Sequence, residues 1–116
     1  MARVDYTEED IERALREVGL TGGDSIFTHS NIGFFGALKG AREKGDYYYA
    51  FKKAIFNVIG RDGTLVAPTF SYSFCWKKPF SVEKTEGVCG FFSEMVRLDP
   101  DAFRSADANF SVAAIG

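Results

Sequence analysis

The stretch FTHSNIGFFG, residues 27–36, carries the only histidine of the chain, His29, among hydroxyl, amide and glycine neighbours. An imidazole in that setting has three available tasks. It can act as a general base if it reaches a reacting proton and a carboxylate orients it, and the sequence identifies no such carboxylate. With Ser30, Asn31 and the small residues that follow, it can form an anion cradle for a phosphate or pyrophosphate. It can also be a partly buried imidazole bonded to nearby backbone.

Other groups carry the same ambiguity. Thr69, Ser71 and Ser73 offer hydroxyls either to a ligand or to neighbouring backbone. Tyr47, Tyr48 and Tyr49 can line a site or pack, and Lys77 with Lys78, or Arg42 with Lys44, can meet one phosphate group. No GxGxxG, GxxxxGK[ST] or Gly-x-Ser-x-Gly pattern occurs, so the standard dinucleotide, P-loop and hydrolase routes are unsupported. Cys75 and Cys89 have neither CxxC spacing nor histidine partners, so they read as thiols and no metal is expected.

These residues must be positioned by a chain of 116 residues that is 46% hydrophobic, enough for one domain with a packed core. A net charge of −2 gives no basic field, which argues against nucleic acid as a partner. No apolar run approaches the roughly 20 residues that cross a bilayer, and the N-terminus reads as a polar helix start. No membrane association is therefore expected, with a cytoplasmic location as the default.

Thr7, with Asp10 three residues on, caps a helix whose Ile11, Ala14, Leu15 and Val18 recur at helical spacing until Gly19 ends it. GGDSIFTHS then reads as a buried strand with His29 on its last step. Residues 33–45 read as a loop, and Asp46 caps a second helix that buries Phe51, Ala54, Ile55 and Val58 and ends at Gly60. GTLVAPTF is a second strand with Pro68 near its end. SYSFCWKKPFSVEKTEG has no sustained period, a helix around Phe91, Phe92, Met95 and Val96 stops before Pro100, and FSVAAIG is a third strand.

Strand, helix, strand, helix, strand implies an α/β fold, a mainly parallel sheet with flanking helices and right-handed crossovers. In such sheets ligands gather beyond the carboxyl ends of strands, which here means HSNIG, PTFSYS and whatever follows Gly116. A buried strand running into the last residue leaves its cover unsupplied. The expectation is the N-terminal part of a larger fold, the alternative being a small complete domain with that strand at its edge.

In order, GGDSIFTHSNIGFFG, GRDGTLVAPTFSYSF and FRSADANFSVAAIG resemble the N-terminal half of the aminoglycoside 3-N-acetyltransferase family, including relatives associated with surface-sugar biosynthesis. The resemblance covers about residues 20–116 and implies that 1–116 form the N-terminal portion of a CoA-dependent N-acetyltransferase-like domain. Its implied reaction moves an acetyl group from acetyl-CoA to a primary amine of an amino sugar or aminoglycoside. By position it implies a CoA cradle of His29, Ser30, Asn31 and Ile32, with Arg104, Ser105 and Ser111; a guanidinium suits phosphate oxygens.

Asn31 stands where the family usually has a second serine, and Asp107-Ala108 stands where it has His-Pro or Asp-Pro. Thr69, Tyr72 and Asp107 are the candidate acceptor contacts, and Tyr72, Phe74 and Trp76 can stack on sugar faces or pin the loop to the core. Mixed charges on Glu83, Glu86, Lys77, Lys78 and Lys84 tilt the acceptor toward an amino sugar or nucleotide-linked amino sugar. The family's catalytic histidine and acid lie in its second half, so no base is assigned and this chain alone is expected to be inactive. The competing reading is a noncatalytic truncated module that binds a nucleotide-like ligand or a partner chain. Either way, an uncovered apolar sheet face would favour a homo-oligomer.

Overall fold

Thr7 caps the first helix, α1 (Glu8–Glu17), through a reciprocal pair of bonds: the Asp10 amide donates to the Thr7 hydroxyl at 3.2 Å and the Thr7 amide donates to the Asp10 carboxylate at 2.9 Å. The computed structural model describes residues 3–116. In chain order α1 is followed by β1 (Ser25–Phe27), a 3-10 turn (Ile32–Phe35), α2 (Lys44–Ile59), β2 (Thr64–Pro68), α3 (Phe91–Leu98), β3 (Phe103–Arg104) and β4 (Val112–Ile115). Two compact units emerge, Met1–Ser25 with Ile32–Gly63, and Ile26–Asn31 with Thr64–Gly116.

In the first unit α1 packs against α2. The stripe expected for α2 is buried, with Ala54 fully enclosed and Phe51, Ile55 and Val58 nearly so, and Ile59, not part of that expectation, is fully enclosed as well. Each large apolar side chain buried this way stabilises by about 1.5–3 kcal/mol relative to exposure. The helix begins three residues earlier than the sequence suggests, with Glu43 in place of Asp46 at the N-cap. Asp46 lies inside its first turn and accepts from the Arg42 and Glu43 amides at 2.8 and 3.0 Å, so it caps from within. Gly60, at φ +73°, ends α2 where other residues would be strained. Tyr6, Phe35 and Phe51 form an aromatic cluster with centroids 5.9–6.3 Å apart. Of the three adjacent tyrosines, Tyr48 is buried and Tyr49 is exposed.

The second unit holds a four-stranded sheet ordered β1-β2-β4-β3. The α/β class stands, but a mainly parallel sheet gives way to a partly parallel one: β4 runs antiparallel to β2, pairing Leu65 with Ile115 and Ala67 with Ala113, and antiparallel to β3, pairing Arg104 with Ala113. The cause is β3. Two residues carry no hydrophobic period, so the strand is silent in the sequence, yet it adds one reversal between α3 and β4. Leu65, Ala67 and Ala113 are fully buried on one face of the sheet, and α3 packs against β2 and β4 with Phe92 and Val96 inside. Pro68 closes β2, and α3 ends before Pro100, both as the sequence indicates. Among the described residues no helix is long and apolar enough to cross a membrane.

Candidate functional site

Because β4 is antiparallel to both neighbours, its amino end, not its carboxyl end, lies beside the carboxyl ends of β2 and β3. The edge therefore gathers Thr69–Tyr72, Ser105–Asp107 and Phe110–Ser111, whereas the carboxyl end of β4 lies at the opposite edge. The Thr69 amide donates to the Ser111 carbonyl at 2.9 Å and the Ser105 amide to the Val112 carbonyl at 2.9 Å, which locks the strand ends together.

Thr69, Arg104 and Ser111 meet directly. The Ser111 hydroxyl donates to the Thr69 carbonyl at 2.8 Å, and Arg104 Nε donates to the Thr69 and Ser111 hydroxyl oxygens at 3.2 and 3.1 Å. Both hydroxyl side chains are fully buried. In the structure these hydroxyls are engaged within the sheet edge and with Arg104, and the roles expected from sequence, acceptor contact for Thr69 and cofactor contact for Ser111, stay proposals. Arg104 also spends its donors inward: Nη2 donates to the Thr69 carbonyl at 2.9 Å, and Nη1 to the carbonyls of Val82 and Thr85. Desolvation holds its pKa below the ordinary arginine value, the Arg97 charge adding to that and Glu94 opposing it.

Ser105 is exposed, its hydroxyl accepting from the Val112 amide at 2.9 Å. Asp107 is exposed as well, and its Oδ1 accepts from the Asn109 and Phe110 amides at 2.8 Å each. Those two backbone bonds, Phe110's first, hold its carboxyl below the usual carboxylate range. Oδ2 carries no hydrogen bond among the described residues.

Tyr72 sits in the left-handed region at φ 55°, a costly conformation for a bulky side chain, and its ring meets Trp76 at 6.0 Å and Phe110 at 5.6 Å. Phe70 joins the same group, 5.4 Å from Phe110. Lys78 lies over the Trp76 ring at 5.6 Å, and Phe74 and Trp76 remain exposed. The segment after β2 is irregular, as the sequence suggests, but its first half is pinned along residues 108–109: the Ser71 amide donates to the Asn109 carbonyl and the Phe74 amide to the Ala108 carbonyl. Phe110 is not singled out by sequence, since an aromatic before a strand is ordinary core material there.

At the end of β1, the Thr28 amide donates to the Val66 carbonyl at 2.9 Å, and the Thr28 and Ser30 hydroxyls are bonded at 2.5 Å. His29 lies two residues beyond the strand rather than on its last step. It is exposed and edge-on to Phe27, with centroids 4.9 Å apart, so a partly buried imidazole is excluded. Asn31 is exposed, and Ile32, buried, opens the 3-10 turn of the other unit. Cys75 and Cys89 are free thiols. Among the described residues no three His, Cys, Asp or Glu side chains gather as a metal site.

The family model for aminoglycoside 3-N-acetyltransferases matches residues 27–116. The chain belongs to that family. Solved structures share its fold: the apoenzyme of the aminoglycoside acetyltransferase AAC(3)-IVa superposes with a TM-score of 0.81 at 23% identity, over 100% of this chain and 43% of its own. AAC-IIIb in binary complex with CoASH gives 0.77 at 22% identity over 96% and 46%, and YokD from Bacillus subtilis gives 0.77 at 24% over 95% and 50%. A mutant of AAC(3)-IVa has been solved in complex with a gentamicin. The chain thus spans half or less of the length of these solved structures. No curated protein sequence matches it significantly. The family match takes in the 28–31 turn, the end of β2 and the β3–β4 edge.

Proposed function

We propose that residues 1–116 form the CoA-binding portion of a CoA-dependent N-acetyltransferase that acts on a primary amine of an aminoglycoside or other amino sugar. The observation that carries this reading is the family match over 27–116, which embraces the exposed turn after β1. In that turn the Thr28–Ser30 hydroxyl bond fixes the backbone, leaving His29 and Asn31 in the open, suited to pantetheine amide or pyrophosphate oxygens. Ser105 is the second exposed candidate for the cradle. A cytoplasmic location goes with the reading, since acetyl-CoA is held there.

In the reaction the amine nitrogen attacks the thioester carbonyl, a C–N bond forms, the C–S bond breaks and the CoA thiol leaves. The amine must first lose its proton, because only the free base is nucleophilic. No residue of this chain is assigned as that base. Asp107, kept ionised with one oxygen unused, suits an ammonium of the acceptor, and the Tyr72, Trp76 and Phe110 rings suit a sugar face. Lys77, Lys78 and Lys84, exposed beside Glu83 and Glu86, give the segment no strong field of either sign, so a less charged or nucleotide-linked amino sugar suits it at least as well as a polycationic aminoglycoside.

A thermal melt with and without CoA tests this first. Ligand at a hundredfold excess over its dissociation constant stabilises by about 2.7 kcal/mol. An upward shift that shrinks in Asn31→Ala is the expected result, without thiol release from acetyl-CoA in the presence of an amino-sugar panel. No shift at millimolar CoA would sink the cradle, and turnover by this chain would show that the base lies within it.

A further inference from the structure

Residues 80–88 are gripped from beneath by two arginines. Arg104 on β3 donates to the Val82 and Thr85 carbonyls while the Phe80 ring lies 4.8 Å from its guanidinium carbon, and Arg97 on α3 donates to the Glu83 carbonyl at 3.4 Å. A guanidinium has five N–H groups. In Arg104 the one on Nε, both on Nη1 and one on Nη2 point to protein oxygens, which leaves a single donor for anything else.

The far end of the segment is fixed by separate means. The Gly87 amide donates to Glu94 at 2.9 Å, and the Val88 amide donates to the Phe70 carbonyl at 2.8 Å. At Gly87 an added Cβ would stand 3.1 Å from the Thr69 carbonyl, so the backbone of the segment passes directly against the end of β2. Arg104 holds both sides of that approach, since Nη2 binds the Thr69 carbonyl and Nη1 the segment.

We propose that Arg104 is a positioning residue: it fixes segment 80–88 as a wall beside the carboxyl end of β2 on the acceptor side and leaves the CoA phosphates to other groups. The inference rests on the acetyltransferase reading and deepens it, by dividing the residues of the last sequence block between ligand and scaffold. The planar fork is what the task requires. Lysine has the charge but cannot address carbonyls in three directions together.

The test compares the wild-type chain with Arg104→Lys by amide hydrogen exchange over residues 82–88 and by titration with CoA and with gentamicin. Exchange at Thr85 and Val88 should rise at least tenfold, since local opening sets their protection. Gentamicin binding should weaken at least tenfold while CoA binding stays within about twofold, a split that general destabilisation does not produce. Unchanged exchange would overturn the proposal, as would a tenfold loss of CoA binding with the gentamicin titration intact. If neither ligand binds the wild-type chain, the acetyltransferase reading fails, and the exchange data alone still decide whether the segment is clamped. Should Arg104→Lys not fold, Gly87→Ala disturbs the same segment from its other end; protection kept there at wild-type level would count against a wall held in register with β2.

Discussion

In α1 and α2 every buried position is filled by an apolar or aromatic side chain, and the backbone bonds internally. Between β2 and α3 the buried positions are Thr69, Ser71 and Ser73, and arginines from α3 and β3 bind the backbone carbonyls. The first region is held by side chains packing on side chains, the second by side chains hydrogen-bonding to backbone. Packing leaves a period in the sequence and is tolerant of polar decoration. Bonding to backbone leaves no period and depends on a few donors with fixed geometry.

The largest test of that contrast is Ile59→Ala. Ile59 is fully buried, and truncation should cost about 2–5 kcal/mol in urea unfolding, from lost burial and the cavity left behind. A cost below about 1 kcal/mol would mean that α2 is not anchored by packing. Next comes Thr7→Ala, which removes the hydroxyl that accepts from the Asp10 amide and should destabilise by about 1 kcal/mol, with exchange rising only in the first turn of α1. Loosening at residues 82–88 in the same variant would break the separation of the two regions.

The smallest effect is one of pH. Backbone bonds depress the carboxyls of Asp10, Asp46 and Asp107, Thr7's amide acting on the first, those of Arg42 and Glu43 on the second and those of Phe110 and Asn109 on the third. A depressed folded value means stability that is complete above the ordinary carboxylate value of 3.8 and is lost as pH falls through the lower folded values. The oxygens that Arg104 binds belong to hydroxyls and carbonyls, which do not titrate. Amide exchange below that pH should therefore rise at the helix starts and at Asn109–Phe110 while Thr85 stays protected.

Legibility in the sequence follows the same division. Helices α1 and α2, with Ile11, Ala54 and Val58 inside, follow from period and caps, and β2 with its terminal Pro68 from an apolar run. The direction of β4 does not, because it turns on a strand of two residues. At the site the sequence marks the stretch around His29, Thr69, Arg104 and Ser111, and the structure brings the last three together. Their task is hidden there, since residue type says that a guanidinium and two hydroxyls can meet phosphate and is silent on whether protein oxygens take them first. Asp107 is marked with its turn, whereas the carboxylate grip on Gly87 by Glu94 has no local signal.

The only tryptophan of the chain, Trp76, is exposed and leans on Tyr72 and Lys78 in the segment after β2, far in character from the helical packing. Its emission is consequently an optical reporter of that loop, while far-ultraviolet circular dichroism is dominated by α2, the longest helix. Followed by the two signals together, one melt resolves the loosening of the loop around Trp76 from the loss of the fold that carries it.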